Sequence, residues 1–301
     1  MAYKVDWHGC YTAVVTPFKE NGDLDIDAFN QNIELLIGEG VDGLIVCGCT
    51  GESWVLTDEE RKELFRIGAE TARNRIIMLG GTGQISARAT IEMGRHAREV
   101  GLDGIMVLPP QLALPGEREI LHYYTKISDG VDIPVLIYNN PRRQGVDLTP
   151  GLVDRLADLD QVAAIKESSK DFGRVAEIIR RVGGRIKVFA GHSSMQGVSA
   201  IVMGADGWVG SLDTQLLGKD AISMYRLLKA GRIDEARRIQ YRCIAAEEAM
   251  KGKNVGTFPA SLKYAMNLCG RPGGFTREPI LAPTEEQKAV IEDVVRRLGL
   301  I

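Results

Sequence analysis

The sequence predicts an α/β fold, a (β/α)8 barrel of the TIM type followed by a C-terminal helical extension. Three observations carry the prediction. Eight short apolar runs of strand character alternate with stretches of helical periodicity, the pattern of right-handed βαβ units around a parallel sheet. A Gly-x-Asp-Gly signal recurs at Gly40–Gly43, Gly101–Gly104 and Gly204–Gly207, each time just ahead of an apolar run. Glycine just past a helix adopts the left-handed conformation that closes it, so each copy marks a helix ending where a strand begins. From about Ile233 onward only helical patterns remain. Eight βα units suit a closed barrel, with a doubly wound open sheet as the alternative.

The elements follow in order. Tyr11–Thr16 is an apolar run closed by Pro17 and the Asn21-Gly22 turn, hence a strand and a turn. Ala28, Phe29, Ile33, Leu36 and Ile37 recur at helical spacing, and Leu44–Cys47 is the second strand. Thr57-Asp58-Glu59-Glu60 is a capping box opening a helix that runs to about Arg73. Ile76–Leu79, Ile105–Leu108, Pro134–Tyr138, Val162–Lys166 and Ile186–Ala190 are strands, and the eighth lies at Trp208-Val209. Between them Ser86–Val100, Glu117–Ser128, Thr149–Leu159, Asp171–Val182 and Ser193–Met203 are helical. The tail has helices over Asp234–Met250, Ala260–Leu268 and Glu285–Leu298, broken by Gly270–Gly274. Residues 1–230 are therefore expected to form the barrel and 231–301 an extension packed on it, with no linker between them.

Composition narrows the function. A length of 301 residues would give two average domains, but barrels reach this size as one unit. A net charge of -3 gives no reason to expect nucleic acid or an anionic membrane as partner. No apolar run approaches the ~20 residues of a membrane span, and the opening residues lack the apolar core of a signal peptide; a cytoplasmic protein is expected. Five cysteines, an odd number without small-scaffold spacing, suit reduced thiols. The pair Cys47 and Cys49 stands without a second cluster, so no metal is expected.

Barrel chemistry sits where the βα loops converge at the C-terminal ends of the strands, and three strand ends carry suggestive residues. The sixth ends in Lys166. An amine at the end of an apolar strand is partly desolvated, which lowers its pKa and yields the neutral nucleophile that condenses with a ketone. Taken alone, Lys166 also reads as a lysine that snorkels to the surface and pairs with Glu167. The second strand ends in Gly48-Cys49-Thr50-Gly51-Glu52, a turn whose amides and hydroxyl can hold a carboxylate, or which is simply a turn. The fifth ends in Tyr138-Asn139-Asn140-Pro141, where a tyrosine can relay protons or serve as a core aromatic.

These three motifs, in this order, resemble the dihydrodipicolinate synthase and N-acetylneuraminate lyase family of Schiff-base aldolases, over essentially the whole chain. The resemblance implies a (β/α)8 enzyme without metal or organic cofactor, and a homotetramer built of tight dimers. It implies an imine between Lys166 and the keto carbon of pyruvate or another 2-keto acid, Tyr138 as proton shuttle, and Thr50 with neighbouring amides, Gly51 among them, on the carboxylate. Gly191 and Val209 would line the site at the seventh and eighth strand ends, with His192 toward the distal part of a substrate. Arg143 matches the arginine that receives the carboxylate of a synthase's second substrate. Cys49 stands where synthases usually have a second threonine, and Gln111 where they have a tyrosine from a neighbouring subunit. A thiol is a weaker donor and an amide cannot shuttle a proton as a phenol does, so the hydroxyl relay is expected to be broken or rebuilt. The Asp58, Arg61, Ile85 and Pro110 positions do not resemble the lysine-binding site of feedback-regulated synthases. The reading is a Schiff-base lyase most like 4-hydroxy-tetrahydrodipicolinate synthase. The alternatives are aldol cleavage, dehydration or deamination of a 2-keto-3-deoxy sugar acid or a hydroxyproline-derived imino acid, or a barrel that binds phosphate through Gly191–Ser193 and Gly210-Ser211 or has lost catalysis.

Overall fold

The computed structural model describes residues 4–252 and 254–301. Eight parallel strands close on themselves in sequence order, which excludes the open-sheet alternative. The barrel begins β1 Gly9–Ala13, α1 Ile26–Glu39, β2 Gly43–Val46, α2 Asp58–Ala72, β3 Ile77–Gly81, α3 Ala87–Glu99 and β4 Gly104–Val107. It continues α4 Glu117–Gly130, β5 Val135–Asn139, α5 Pro141–Gln144, α6 Pro150–Leu156, β6 Val162–Glu167, α7 Phe172–Val182, β7 Lys187–Ala190, α8 Ser193–Val202 and β8 Gly207–Gly210. After β8 come α9 Lys219–Lys229, α10 Ile233–Met250, α11 Phe258–Leu268 and α12 Glu285–Arg297.

The repeated Gly-x-Asp-Gly signal does more than stop helices. Gly40 and Gly204 take the left-handed conformation, as does Gly101. The aspartate that follows ties the base of the barrel. Asp42 accepts from the Cys10 N–H at 2.8 Å, Asp103 from Met78 at 2.7 Å and Asp206 from Val188 at 2.9 Å. In each case the aspartate's own N–H donates back to the carbonyl of the same residue, at 2.9 Å. The three copies thus clamp β1 to β2, β3 to β4 and β7 to β8 at their N-terminal ends, satisfying groups that would otherwise lack a partner where the ladder begins.

Helix starts follow local chemistry. Asp25 caps α1 through the Ala28 N–H, and the capping box on α2 is formed in both directions between Thr57 and Glu60. Inside the barrel Trp7, Tyr11, Ile45, Leu79, Met106 and Phe189 fill the lower half, the rings of Tyr11 and Phe189 lying 4.8 Å apart. Gly207 belongs to this packing: a Cβ there would fall 2.2 Å from the Gly9 carbonyl oxygen. The interior is therefore a packed core below, and a cavity opens above it at the C-terminal strand ends. Beyond the eight units, α10 packs across α8 and α9, and α11 lies against α12. Two short features were not legible in the sequence: the single turn α5, begun by Pro141 at its first position, and a π-helical turn over Asp213–Leu217 after β8.

Candidate active site

Lys166 and Tyr138 meet through strand register. In the β5–β6 pair Val135 faces Val162, but the next pair is Leu136 with Ala164, so one residue is skipped in β6. This bulge shifts everything above it by one, bringing Tyr138 directly opposite Lys166. Both side chains point inward, and the Lys166 Nζ sits 4.3 Å from the centre of the Tyr138 ring. Lys166 is 6% exposed and Tyr138 4%. Burial brings the Lys166 amine down to about 8, with the Arg143 guanidinium adding to the effect against an opposing contribution from Cys49. Burial likewise pushes the Tyr138 phenol well above its ordinary range, and Cys49 pushes it further.

The alternative pairing of Lys166 with Glu167 does not occur. Successive strand residues face opposite sides, and Glu167 points outward, accepting from Asn139 Nδ2 at 2.9 Å and from the Ser169 N–H at 2.5 Å. Asn139 in turn donates to Asp147 and accepts from the Leu148 N–H, and Arg174 closes on Asp147 at 2.5 Å. This outer network braces the upper ends of β5 and β6 behind the two reactive side chains. By the same alternation Asn140 shares the inner face with Tyr138 and donates to its hydroxyl at 3.0 Å. The phenol oxygen is thereby already an acceptor.

The turn after β2 is held rigidly. Cys47 and Glu52 both adopt left-handed backbone, φ 52° in each case, uncommon for residues other than glycine. The Gly51 carbonyl accepts from Thr16 Oγ1 at 2.8 Å, and a Cβ on Gly51 would press on the Val14 carbonyl at 3.0 Å. Glu52 is fully buried and pairs at 2.5 Å with Lys263 of α11. Lys263 also donates to the carbonyls of Thr16 and Phe275, each at 2.6 Å. A helix of the tail thus anchors the turn that carries Cys49 and Thr50.

A cavity of about 440 Å³ opens above Lys166. Cys49, Thr50, Tyr138, Arg143, Gly191, His192 and Val209 line it, as the sequence reading expects. Gly191 packs closely, since a Cβ would fall 1.6 Å from Ser168 Oγ and 2.9 Å from the Glu167 carbonyl oxygen. His192 Nε2 lies 3.1 Å from the Ser168 carbonyl, which can only accept, so Nε2 carries the hydrogen. Burial, with the charge of Lys251 next, lowers this imidazole to about 4, and it is neutral at physiological pH. Gly51 is the one expected same-chain residue outside this cavity; Gln111 stands at a position that the resemblance fills from a neighbouring subunit. Gly51 lies behind the wall, bonded to Thr16, and exposed Gln111 lines a neighbouring cavity of about 530 Å³ with Trp54, Ile85 and Leu112. Cys49 and Arg143 border both.

Besides Ser193, already named in the phosphate-binding alternative, this cavity contains residues that the sequence reading did not select. Ser193 Oγ donates to Asp213 at 2.5 Å, and Arg142, Lys170, Glu247, Lys251 and Phe258 come from α5, the loop after β6, α10 and α11. No motif marks Glu247, Lys251 and Phe258, which reach the barrel mouth only when the tail folds over it. Cys47 and Cys49 part company: Cys47 packs in the outer core while Cys49 faces the cavity.

Comparison with known proteins agrees with this architecture. The model of the dihydrodipicolinate synthetase family matches residues 6–298. An uncharacterised DapA-like lyase of Rhizobium meliloti is 33% identical over 301 residues, covering 100% of this chain and 99% of its own. The 4-hydroxy-tetrahydrodipicolinate synthase of Oceanobacillus iheyensis is 32% identical over 284 residues, 94% of this chain and 95% of its own. Among solved structures, YagE of E. coli, a prophage protein of the dihydrodipicolinic acid synthase family in complex with pyruvate, superposes with a TM-score of 0.93 at 29% identity, covering 99% of this chain and 100% of that one.

Proposed function

The chain belongs to the dihydrodipicolinate synthetase family, and from that premise we propose that it is a class I lyase working through an imine between Lys166 and pyruvate or another 2-keto acid. The observation that carries the reading is the buried amine, brought to about 8, facing the Tyr138 phenol at the barrel mouth. The neutral Nζ adds to the keto carbon, and water leaves as the imine forms. The protonated imine is an electron sink, so the adjacent carbon can give up a proton and then make a carbon–carbon bond, or break one in reverse. Tyr138 carries the proton, its oxygen held by Asn140. Thr50 and the amides of its turn hold the carboxylate, and Arg143 receives a second substrate's carboxylate through its guanidinium fork. No organic cofactor or metal enters these steps.

The leading reaction is condensation of pyruvate with an amino aldehyde, as in the 4-hydroxy-tetrahydrodipicolinate synthases to which the chain is similar. One observation favours a second reading. Ser193, Ser194 and Ser211 line the same cavity, a polar lining that suits cleavage or dehydration of a hydroxylated 2-keto-3-deoxy acid. A substrate panel separates them: pyruvate with aspartate semialdehyde, sialic acid, sugar-derived 2-keto-3-deoxy acids, and the hydroxyproline-derived imino acid. Turnover of the first pair supports the synthase; turnover of a deoxy acid with none of the first pair rejects it.

The assembly proposed is a homotetramer of tight dimers, in which the apolar Leu112 and Leu114 beside Gln111, 84% and 60% exposed in the single chain, become covered. The compartment proposed is the cytoplasm, which the five free cysteines suit. No helix of the described residues is long and apolar enough to cross a membrane.

A further inference from the structure

The cavity above Lys166 is much larger than a three-carbon acid, and its far end is charged. At about 440 Å³ it falls in the range of sites that enclose drug-sized ligands. Arg142, Arg143, Lys170 and Lys251 line it beside the nucleophile, against only two carboxyl groups, Glu247 and Asp213. Both carboxyls are engaged. Glu247 accepts from Lys251, and Asp213 accepts from Ser193 Oγ and the Ser211 N–H. Lys170 and Arg142 have no carboxylate within ion-pair distance among the described residues.

The basic side chains arrive from separate parts of the chain. Arg142 is on the single turn α5. Lys170 lies four residues past the nucleophile in a left-handed conformation, φ 71°, uncommon outside glycine. Lys251 ends α10 and stands over the Phe258 ring at 5.0 Å. Their charges act on one another. The Lys170 ammonium is held below the ordinary lysine range by burial, then by Lys251 and Arg142, and Lys251 and Lys170 both oppose protonation of His192. Arg142, Lys170 and Lys251 are exposed to solvent around this concave mouth, and positive charge gathered there attracts an anion.

We propose that the outer end of the Lys166 cavity is an anion subsite, formed by Lys170, Arg142 and Lys251, that takes a carboxylate or phosphate at the far end of a 2-keto acid. The subsite rests on the imine reading, since it selects what Lys166 engages. It is separate from Arg143, which borders the cavity on the side toward Gln111. Substrate carboxyl and keto groups are then fixed at Thr50 and Lys166, the middle of the chain runs along His192 and the Ser193–Asp213 pair, and the terminal anion reaches Lys170.

The test uses 2-keto acids that form an imine without further reaction. The intact protein is reduced with borohydride in the presence of pyruvate, 2-oxohexanoate, the diacids 2-oxoglutarate, 2-oxoadipate and 2-oxopimelate, or 5-phosphonooxy-2-oxopentanoate, and half-saturation of labelling at Lys166 is measured. At least one anion-ended acid is expected to saturate at a concentration at least tenfold lower than 2-oxohexanoate. Carboxylate and phosphate ends tell which anion is preferred. In Lys170→Met and Arg142→Met the ratio of anionic to neutral acid falls by about tenfold, equivalent to about 1.4 kcal/mol, whereas Arg143→Met keeps the ratio. Pyruvate labelling with equal half-saturation for neutral and anionic ends overturns the subsite and leaves the imine standing, as does a preference lost only in Arg143→Met. Absence of any adduct, with pyruvate included, overturns the imine reading and the subsite with it.

Discussion

Replacing Lys263 by methionine tests how the tail supports the site. Lys263 and Glu52 form an ion pair at 2.5 Å with side chains 2% and 0% exposed. Nζ also serves the Thr16 and Phe275 carbonyls and stands 4.5 Å from the Phe18 ring. Burial lowers the lysine to about 8 and raises the glutamate despite their attraction, so for each partner desolvation outweighs pairing. Such a pair adds little over an apolar replacement, but removing one member strands the other, at ~3–5 kcal/mol. Lys263→Met should therefore cost about 3–4 kcal/mol, read as the shift in urea midpoint at unchanged slope. Adding Glu52→Gln should recover at least about 1 kcal/mol of it, because the stranded charge is gone. The sign with pH follows. Glu52 has a raised folded pKa, so its protonated form suits the fold, and the deficit of Lys263→Met should be smaller at pH 5 than at pH 8. The turn bearing Thr50 should loosen as well, raising KM for pyruvate. A single-variant cost below about 1 kcal/mol, or a double variant less stable than the single, refutes the argument.

Further outcomes follow from the same geometry. Labelling of Lys166 at sub-saturating pyruvate should rise with pH as the ammonium deprotonates and level off above about 8; a profile still climbing at pH 10, as for a free lysine near ~10.4, contradicts the buried amine. Tyr138→Phe should lower turnover by ~10²–10⁴-fold while borohydride still labels Lys166; a loss of under about tenfold would remove the phenol from the relay. Gly191→Ala drives a Cβ into Ser168 Oγ and should destabilise the fold by ~1–3 kcal/mol with loss of labelling; a variant as stable and as readily labelled as the parent shows that the close approach is not needed.

The sequence disclosed the barrel because its signals are local. Apolar runs, helical spacing, the capping box at Thr57 and three glycine stops each act within a few residues, and the resemblance drew Lys166, Tyr138 and Thr50 to one mouth. What escaped is set by distant partners. The bulge between Val135 and Leu136 decides that Tyr138 faces Lys166, yet β5 and β6 are equally apolar in either register. The three aspartates clamp strands about 18 to 32 residues away, and in the sequence only their glycine neighbours had a reading. Lys263 looks like any helix lysine until Glu52 is found beneath it. Gln111, at a position that the resemblance fills from a neighbouring subunit, lines the adjoining cavity within one chain.

The central claim is that Lys166 is the imine-forming nucleophile. Borohydride reduction in the presence of pyruvate, followed by mass mapping of peptides, tests it most directly. The account predicts one reduced pyruvyl adduct per chain, on Lys166, and none in Lys166→Ala. An unlabelled protein, or an adduct on another lysine, would contradict it.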